Sequence, residues 1–151
     1  MELDLSDMRR AVWTNLLAVF LSDGLTRLRT LALRAGPCTS DDLENLLSHA
    51  PSLTSLVLRG LLQVPSVSFF RQLPRLADTL TQLTVDCEYP WRLYAADLQL
   101  LLVLRQLRVL RLSGWRRNDS PIAEARAAFE QRPCNVLPHL EVFEWLKDRP
   151  Y

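Results

Sequence analysis

The chain has 151 residues, 48% hydrophobic and 23% charged, with 18 basic side chains against 17 acidic ones and a net charge of +1. That length fits one domain with a substantial core, and the composition is globular and not that of a disordered chain. So even a charge balance gives no electrostatic case for nucleic acid or an anionic membrane as the main partner.

In chain order, MELDLSD opens with Leu3 and Leu5 alternating against acids, the pattern of a short strand with one apolar face. Arg9-Arg10 followed by AVWTNLLAVFL imitates a secretory leader. Its acidic flank and the lack of a small-x-small cleavage site argue against one, and the run is too short to span a bilayer. A helix of the fold is expected over 8–21.

Leu28, Leu31 and Leu33 begin a recurring pattern, LxxLxL. It returns as Leu53-Leu56-Leu58, Leu80-Leu83-Val85 and Leu107-Leu110-Leu112, then in degenerate form as Leu140-Phe143-Trp145, at intervals of 25, 27, 27 and 33 residues. Leu3 and Leu5 form a half-copy 28 residues before Leu31 and Leu33. In each copy the alternating apolar residues give a short strand one face to bury, and stacking on the neighbouring copies buries it.

Between the copies the spacing becomes helical. SDDLENLLSHAP sets Leu43, Leu46 and Leu47 on one helix face, with Ser40 or Asp41 expected as N-cap and Pro51 past the end. PSVSFFRQLPRLADTL is interrupted by Pro74, which predicts a helix ending near Gln72 and then a turn. YAADLQLLLVLRQL carries Leu98, Leu101, Leu102 and Leu104 on a broad apolar stripe. NDSPIAEARAAFEQR offers Ser120 as N-cap and Pro121 in the first turn, with its alanines and Phe129 facing inward.

This alternation covers essentially the whole chain and resembles the leucine-rich repeat family, in the helix-bearing intracellular subtypes of ribonuclease inhibitors and F-box substrate receptors. The resemblance implies an α/β fold, a leucine-rich repeat solenoid with a parallel concave sheet of about six short strands and helices on the convex side. It implies that 1–151 is a single leucine-rich repeat domain, complete as a shortened family member or a portion of a longer array. One feature departs from the family. The Asn or Cys that usually follows the last leucine by three residues is replaced by Gly36, Leu61, Glu88, Trp115 and Asp148. The polar ladder made there is missing, so the turns must close in another way.

Catalytic and metal signals are weak. His49 stands at an expected helix end, where a cation suits the dipole, and His139 precedes a strand; neither has a Cys or carboxylate at ligand spacing. HExxH, GxSxG, P-loop and GxGxxG motifs are all missing, and the chain has only four glycines. No enzyme activity, cofactor or metal is expected. Cys38, Cys87 and Cys134 are odd in number and form no CxxC pair, as suits buried thiols in a reducing compartment, cytoplasmic or nuclear.

A protein-protein interaction scaffold is therefore expected. With the leucines turned inward, the opposite face of the strands displays the residues between them. Arg34, Val57, Arg59, Thr84, Asp86 and Arg111 are candidate contacts there. A second candidate surface is the edge formed by CEYPWRLY and GWRRND, with Tyr89, Trp91, Arg92, Trp115, Arg116 and Arg117, residue types enriched at interface hot spots. The same tryptophans could instead cover the ends of the core.

By resemblance, the partner is a protein or peptide recognised by the substrate-binding repeats of an F-box-type ubiquitin ligase receptor. Ligase subunits would be recruited through a segment not present here. The alternatives are a ribonuclease-inhibitor-like binder or sensor clamping a folded partner, and a structural or degenerate repeat fragment. No nucleic acid or membrane partner is expected.

Overall fold

The computed structural model describes residues 2–4, 12, 14, 15, 18, 19, 22, 25–34, 38–61, 67–87, 99–112 and 137–145, with the backbone alone at 2–4, 34, 67 and 145. The elements are β1 (Glu2–Asp4), β2 (Thr30–Arg34), α1 (Ser40–His49), β3 (Ser55–Leu61), α2 (Val67–Gln72), a 3-10 turn (Leu73–Leu76), β4 (Gln82–Cys87), β5 (Val109–Leu112) and β6 (Val142–Trp145). Helical backbone also occurs at Val12, Thr14, Asn15, Ala18, Val19 and Ser22, within and just past the helix expected over 8–21.

The strands form one parallel sheet in the order β1-β2-β3-β4-β5-β6. Five of them, β2 to β6, carry described side chains, and β1 adds a three-residue edge paired through its backbone. The α/β class and the parallel sheet agree with expectation. Register follows the sequence copies: Leu31 pairs with Leu56, Leu56 with Leu83, Leu83 with Leu110, and Leu110 with Phe143. Leu33, Leu58, Val85, Leu112 and Trp145 form the second column. A slip of one residue would turn every one of these to the opposite face, so burial fixes the register.

The leucine columns meet the intervening segments in one continuous core. Leu56, Leu58, Leu83, Val85, Leu110 and Leu112 are fully buried, and each buried leucine contributes roughly 1.5–3 kcal/mol. From α1 come Leu43, Leu46 and Leu47, and from α2 come Phe69 and Phe70, whose rings meet edge to face at 5.1 Å between centroids. Leu73 and Leu76 of the 3-10 turn complete this layer.

The N-cap of α1 is Thr39, not Ser40 or Asp41. Its hydroxyl accepts from the Asp42 N–H at 3.3 Å, while the Asp42 carboxylate accepts from the Thr39 N–H at 2.9 Å. This reciprocal box satisfies two N–H groups at the start of the helix. As expected, α2 ends at Gln72, and Pro74 sits in the 3-10 turn that follows. Of YAADLQLLLVLRQL, the described residues are helical only at 99–101 before the chain turns. Leu101 and Leu104 are buried and Leu102 is half-buried against the core, while Leu98 lies outside the described residues. The segment NDSPIAEARAAFEQR, with its expected cap Ser120 and Pro121, lies outside the described residues.

The turns close at the start of each strand. Leu28, Leu53, Leu107 and Leu140 each donate an N–H to the carbonyl three residues back (Leu25, Ala50, Leu104 and Leu137) at 3.0–3.2 Å, and Leu80 donates to Leu76 at 2.9 Å. The next carbonyl then bridges to the following copy. Arg29 O accepts from the N–H groups of both Thr54 and Ser55, Thr54 O from Thr81 and Gln82, Thr81 O from Arg108 and Val109, and Arg108 O from Glu141 and Val142. Thr54 Oγ1 adds a third bond to Arg29 O at 2.9 Å, and Thr81 Oγ1 one to Thr54 O at 3.0 Å. This backbone ladder takes the place of the polar side-chain ladder that the sequence lacks beyond its last leucines.

Candidate protein-binding face

Because side chains alternate along a strand, the residues between the leucines occupy the other side of the sheet. Two columns run across it: Thr30, Ser55, Gln82, Val109 and Val142, and then Ala32, Val57, Thr84, Arg111 and Glu144. Ser55 Oγ donates to Gln82 Oε1 at 3.3 Å, and Arg111 Nε lies 2.6 Å from Glu144 Oε2. At the strand starts Arg108 pairs with Glu141 at 3.4 Å. The Arg108–Glu141 pair is open to solvent and contributes about 0–1 kcal/mol at most. These contacts organise the face more than they stabilise the fold.

A third column, which starts from Arg34 and Arg59, is interrupted. Arg34 and Arg59 are register partners, but the pairing of β3 with β4 shifts between Leu58 and Leu61, so that Leu61 meets Cys87. Arg59 and Gly60 together therefore span the position opposite Asp86. Gly60 has φ 61°, a left-handed conformation that a residue with a Cβ adopts only at a cost of about 1–2 kcal/mol. The bulge takes Asp86 out of simple cross-strand pairing with Arg59.

The predicted contacts divide as follows. Arg59 is exposed, and among the described residues it makes no hydrogen bond or ion pair. Val57 and Asp86 are half-buried, and Arg111 is engaged by Glu144. Thr84 is only 1% exposed, and among the described residues its Oγ1 has no hydrogen-bond partner. It is a sealed position and offers a partner no free hydroxyl. Tyr89, Trp91, Arg92, Trp115, Arg116 and Arg117 lie outside the described residues, so the loop edge is not described.

Reactive groups on this framework are muted. Burial, reinforced by the nearby Asp86 charge, pushes the Cys87 thiol up to about 12. Burial and then Asp42 push Cys38 up further still. Both are poor nucleophiles at neutral pH, since the thiolate is the reactive form. His49 is exposed at the end of α1, with Nδ1 2.8 Å from Asn45 O and 2.9 Å from Ser48 Oγ, and His139 is exposed in the turn before β6. Among the described residues no group of three His, Cys, Asp or Glu side chains could hold a metal ion, and no helix is long and apolar enough to cross a membrane.

What reasoning from the sequence missed is the buried position three residues before four of the five copies, Leu25, Ala50, Leu104 and Leu137. The signal was present: it lengthens LxxLxL to an apolar residue at every third place, which marks the turn as part of the repeat. Compared with protein-family models, curated proteins and solved structures, the chain matches none.

Proposed function

We propose that the chain is a leucine-rich repeat solenoid acting as a non-catalytic protein-binding scaffold, with the sheet face opposite the leucines as its docking surface. The observation that supports this is the register. The copies align leucine on leucine across the sheet, while the residues between them differ from copy to copy: Ser55-Val57-Arg59 on β3 against Val109 and Arg111 on β5. Shared positions maintain the stack, and varied positions on the free face are where partner specificity resides. In this function the repeats hold the substrate of an F-box-type ubiquitin ligase receptor, and ligase subunits join through a segment outside this sequence. Buried, weakly acidic thiols at Cys38 and Cys87 suit a reducing, cytoplasmic or nuclear location.

Affinity capture with the intact chain and with Val57→Arg tests this. Val57 is half-buried at the middle of the face, so an arginine there blocks docking while the leucine core is untouched. Partners lost with Val57→Arg but kept with Arg75→Glu, a charge change on an exposed residue of the 3-10 turn, are the expected result. Partners indifferent to Val57→Arg would overturn the face as the docking surface. Recovery of ligase adaptor subunits only when upstream sequence is included would support the ligase assignment, and their absence from that capture would overturn it.

A further inference from the structure

Among the described residues the sheet ends at β6, which pairs with β5 alone. Burial falls at this edge. Leu28, Leu53, Leu80 and Leu107 are at most 1% exposed, as are Leu31, Leu56, Leu83 and Leu110, whereas Leu140 and Phe143 at the same two positions are only half-buried. The backbone series halts there as well. Arg29, Thr54, Thr81 and Arg108 each offer a carbonyl to two N–H groups of the next copy, and the corresponding carbonyl of Glu141 receives none among the described residues. Two acids stand at the same edge. Glu141 Oε1 faces Arg108 and Glu144 Oε2 faces Arg111, yet both acidic side chains stay open to solvent, at 64% and 49% exposure.

We propose that the outer edge of β6 receives one further parallel strand, an extended segment of a partner protein with the pattern apolar-basic-x-apolar-basic. Its apolar residues lie beside Leu140 and Phe143, and its basic residues beside Glu141 and Glu144. The chemistry of this occupant is read from the strand already on the inner side. β5 meets β6 with Leu110 beside Phe143, Arg111 beside Glu144 and Arg108 paired with Glu141. A strand on the outer side meets the same side chains, because neighbours on both sides of a strand share its two faces. Main-chain hydrogen bonds to the open edge supply affinity, and the alternating side chains supply specificity. Acids at an open edge keep unmatched strands away and favour the one whose charges answer them. The site adjoins the docking face at Glu144 and does not depend on it.

The probe is the end-blocked peptide Leu-Arg-Val-Leu-Arg-Leu, titrated into the isotope-labelled full chain and followed by amide NMR shifts, with Leu-Glu-Val-Leu-Glu-Leu as control. The basic peptide binds more tightly than the acidic one and shifts the amides of β6. A nitroxide at its amino end broadens the Glu141 amide more than the Trp145 amide, as parallel alignment requires. Replacing both acids, Glu141→Arg with Glu144→Arg, weakens the basic peptide by about fivefold or more and makes the acidic peptide the tighter binder. That reversal is a gain of binding, which loss of fold does not produce. Asp41→Arg, the same charge reversal at an exposed residue of α1, and Val57→Arg on the docking face each alter binding by about twofold or less. No binding, equal binding of the two peptides, or no reversal in the double variant would overturn the proposal. Loss of binding with Val57→Arg would place the peptide on the face and overturn the edge site. Sedimentation of the chain as a dimer with protected β6 amides, before any peptide is added, would put a second copy on the edge and overturn it too. Capture of partners with Val57→Arg tests the docking face separately.

Discussion

Replacing Thr84 by valine should stabilise this protein, although it removes a polar side chain from the candidate binding face. Thr84 is 1% exposed and among the described residues its Oγ1 has no hydrogen-bond partner, so the hydroxyl has lost water without replacement there. An unsatisfied buried hydroxyl costs about 1–3 kcal/mol. Valine has nearly the same shape and keeps the β-branched stem that suits a strand. For a chain of this length each kcal/mol moves Tm by about 2–4 °C, so Thr84→Val is expected to raise Tm by roughly 2–12 °C. Thr81→Val supplies the opposite sign. Its hydroxyl donates to Thr54 O at 3.0 Å, and losing that bond should cost about 0.5–1.5 kcal/mol. Thermal and urea unfolding of the two variants side by side provide the assay. If Thr84→Val melted at or below the parent temperature, the hydroxyl would be satisfied in solution and the sealed position would be wrongly assigned.

Three further outcomes follow from the same framework. Leu56→Ala and Leu83→Ala, each emptying a fully buried site in a central column, should cost about 2–5 kcal/mol in urea unfolding, whereas Val103→Ala, at an exposed site, should change stability by less than about 0.5 kcal/mol. Gly60→Ala must adopt a positive φ or abolish the bulge, and should lower stability by about 1–2 kcal/mol. Cys38 and Cys87 should resist iodoacetamide at pH 8 in the folded chain and react on unfolding, as read by mass spectrometry. Their folded pKa values are raised above the ordinary thiol value, so the unfolded chain ionises first. The stability they contribute is therefore complete below the unfolded thiol pKa of about 8.5 and is lost as pH climbs from there towards the folded value.

The register was legible because it rests on burial. Alternating leucines admit only one inward face, and that alone places Leu31, Leu56, Leu83 and Leu110 in a single column. The free columns beginning at Thr30 and Ala32 follow by elimination. The third column was not legible beyond β3, because a bulge depends on the backbone angle of one glycine, and the phrase LRG says nothing about it until φ is known. The burial of Thr84 was not legible for a related reason: alternation gives the side of the sheet but not what covers it. The cap at Thr39 was written in the sequence as T-S-D-D, yet Ser40 and Asp41 are equally good caps by residue type, and Asp41 has Glu44 three residues ahead as Thr39 has Asp42, so spacing alone does not choose between them. The ladder through Thr54 and Thr81 joins carbonyls and hydroxyls 25 and 27 residues apart, a distance over which no local pattern announces a hydrogen bond.

The docking face depends on the stack behind it, and site-resolved amide hydrogen exchange by NMR tests that stack most directly. The N–H groups of Thr54, Ser55, Thr81, Gln82, Arg108, Val109, Glu141 and Val142 all donate to the preceding copy, whether or not their own side chains are buried. Strong protection at these eight positions, recurring with the spacing of the leucines, is the predicted result. Exchange there at the rate of an open chain, with protection confined to the helical segments, would contradict it.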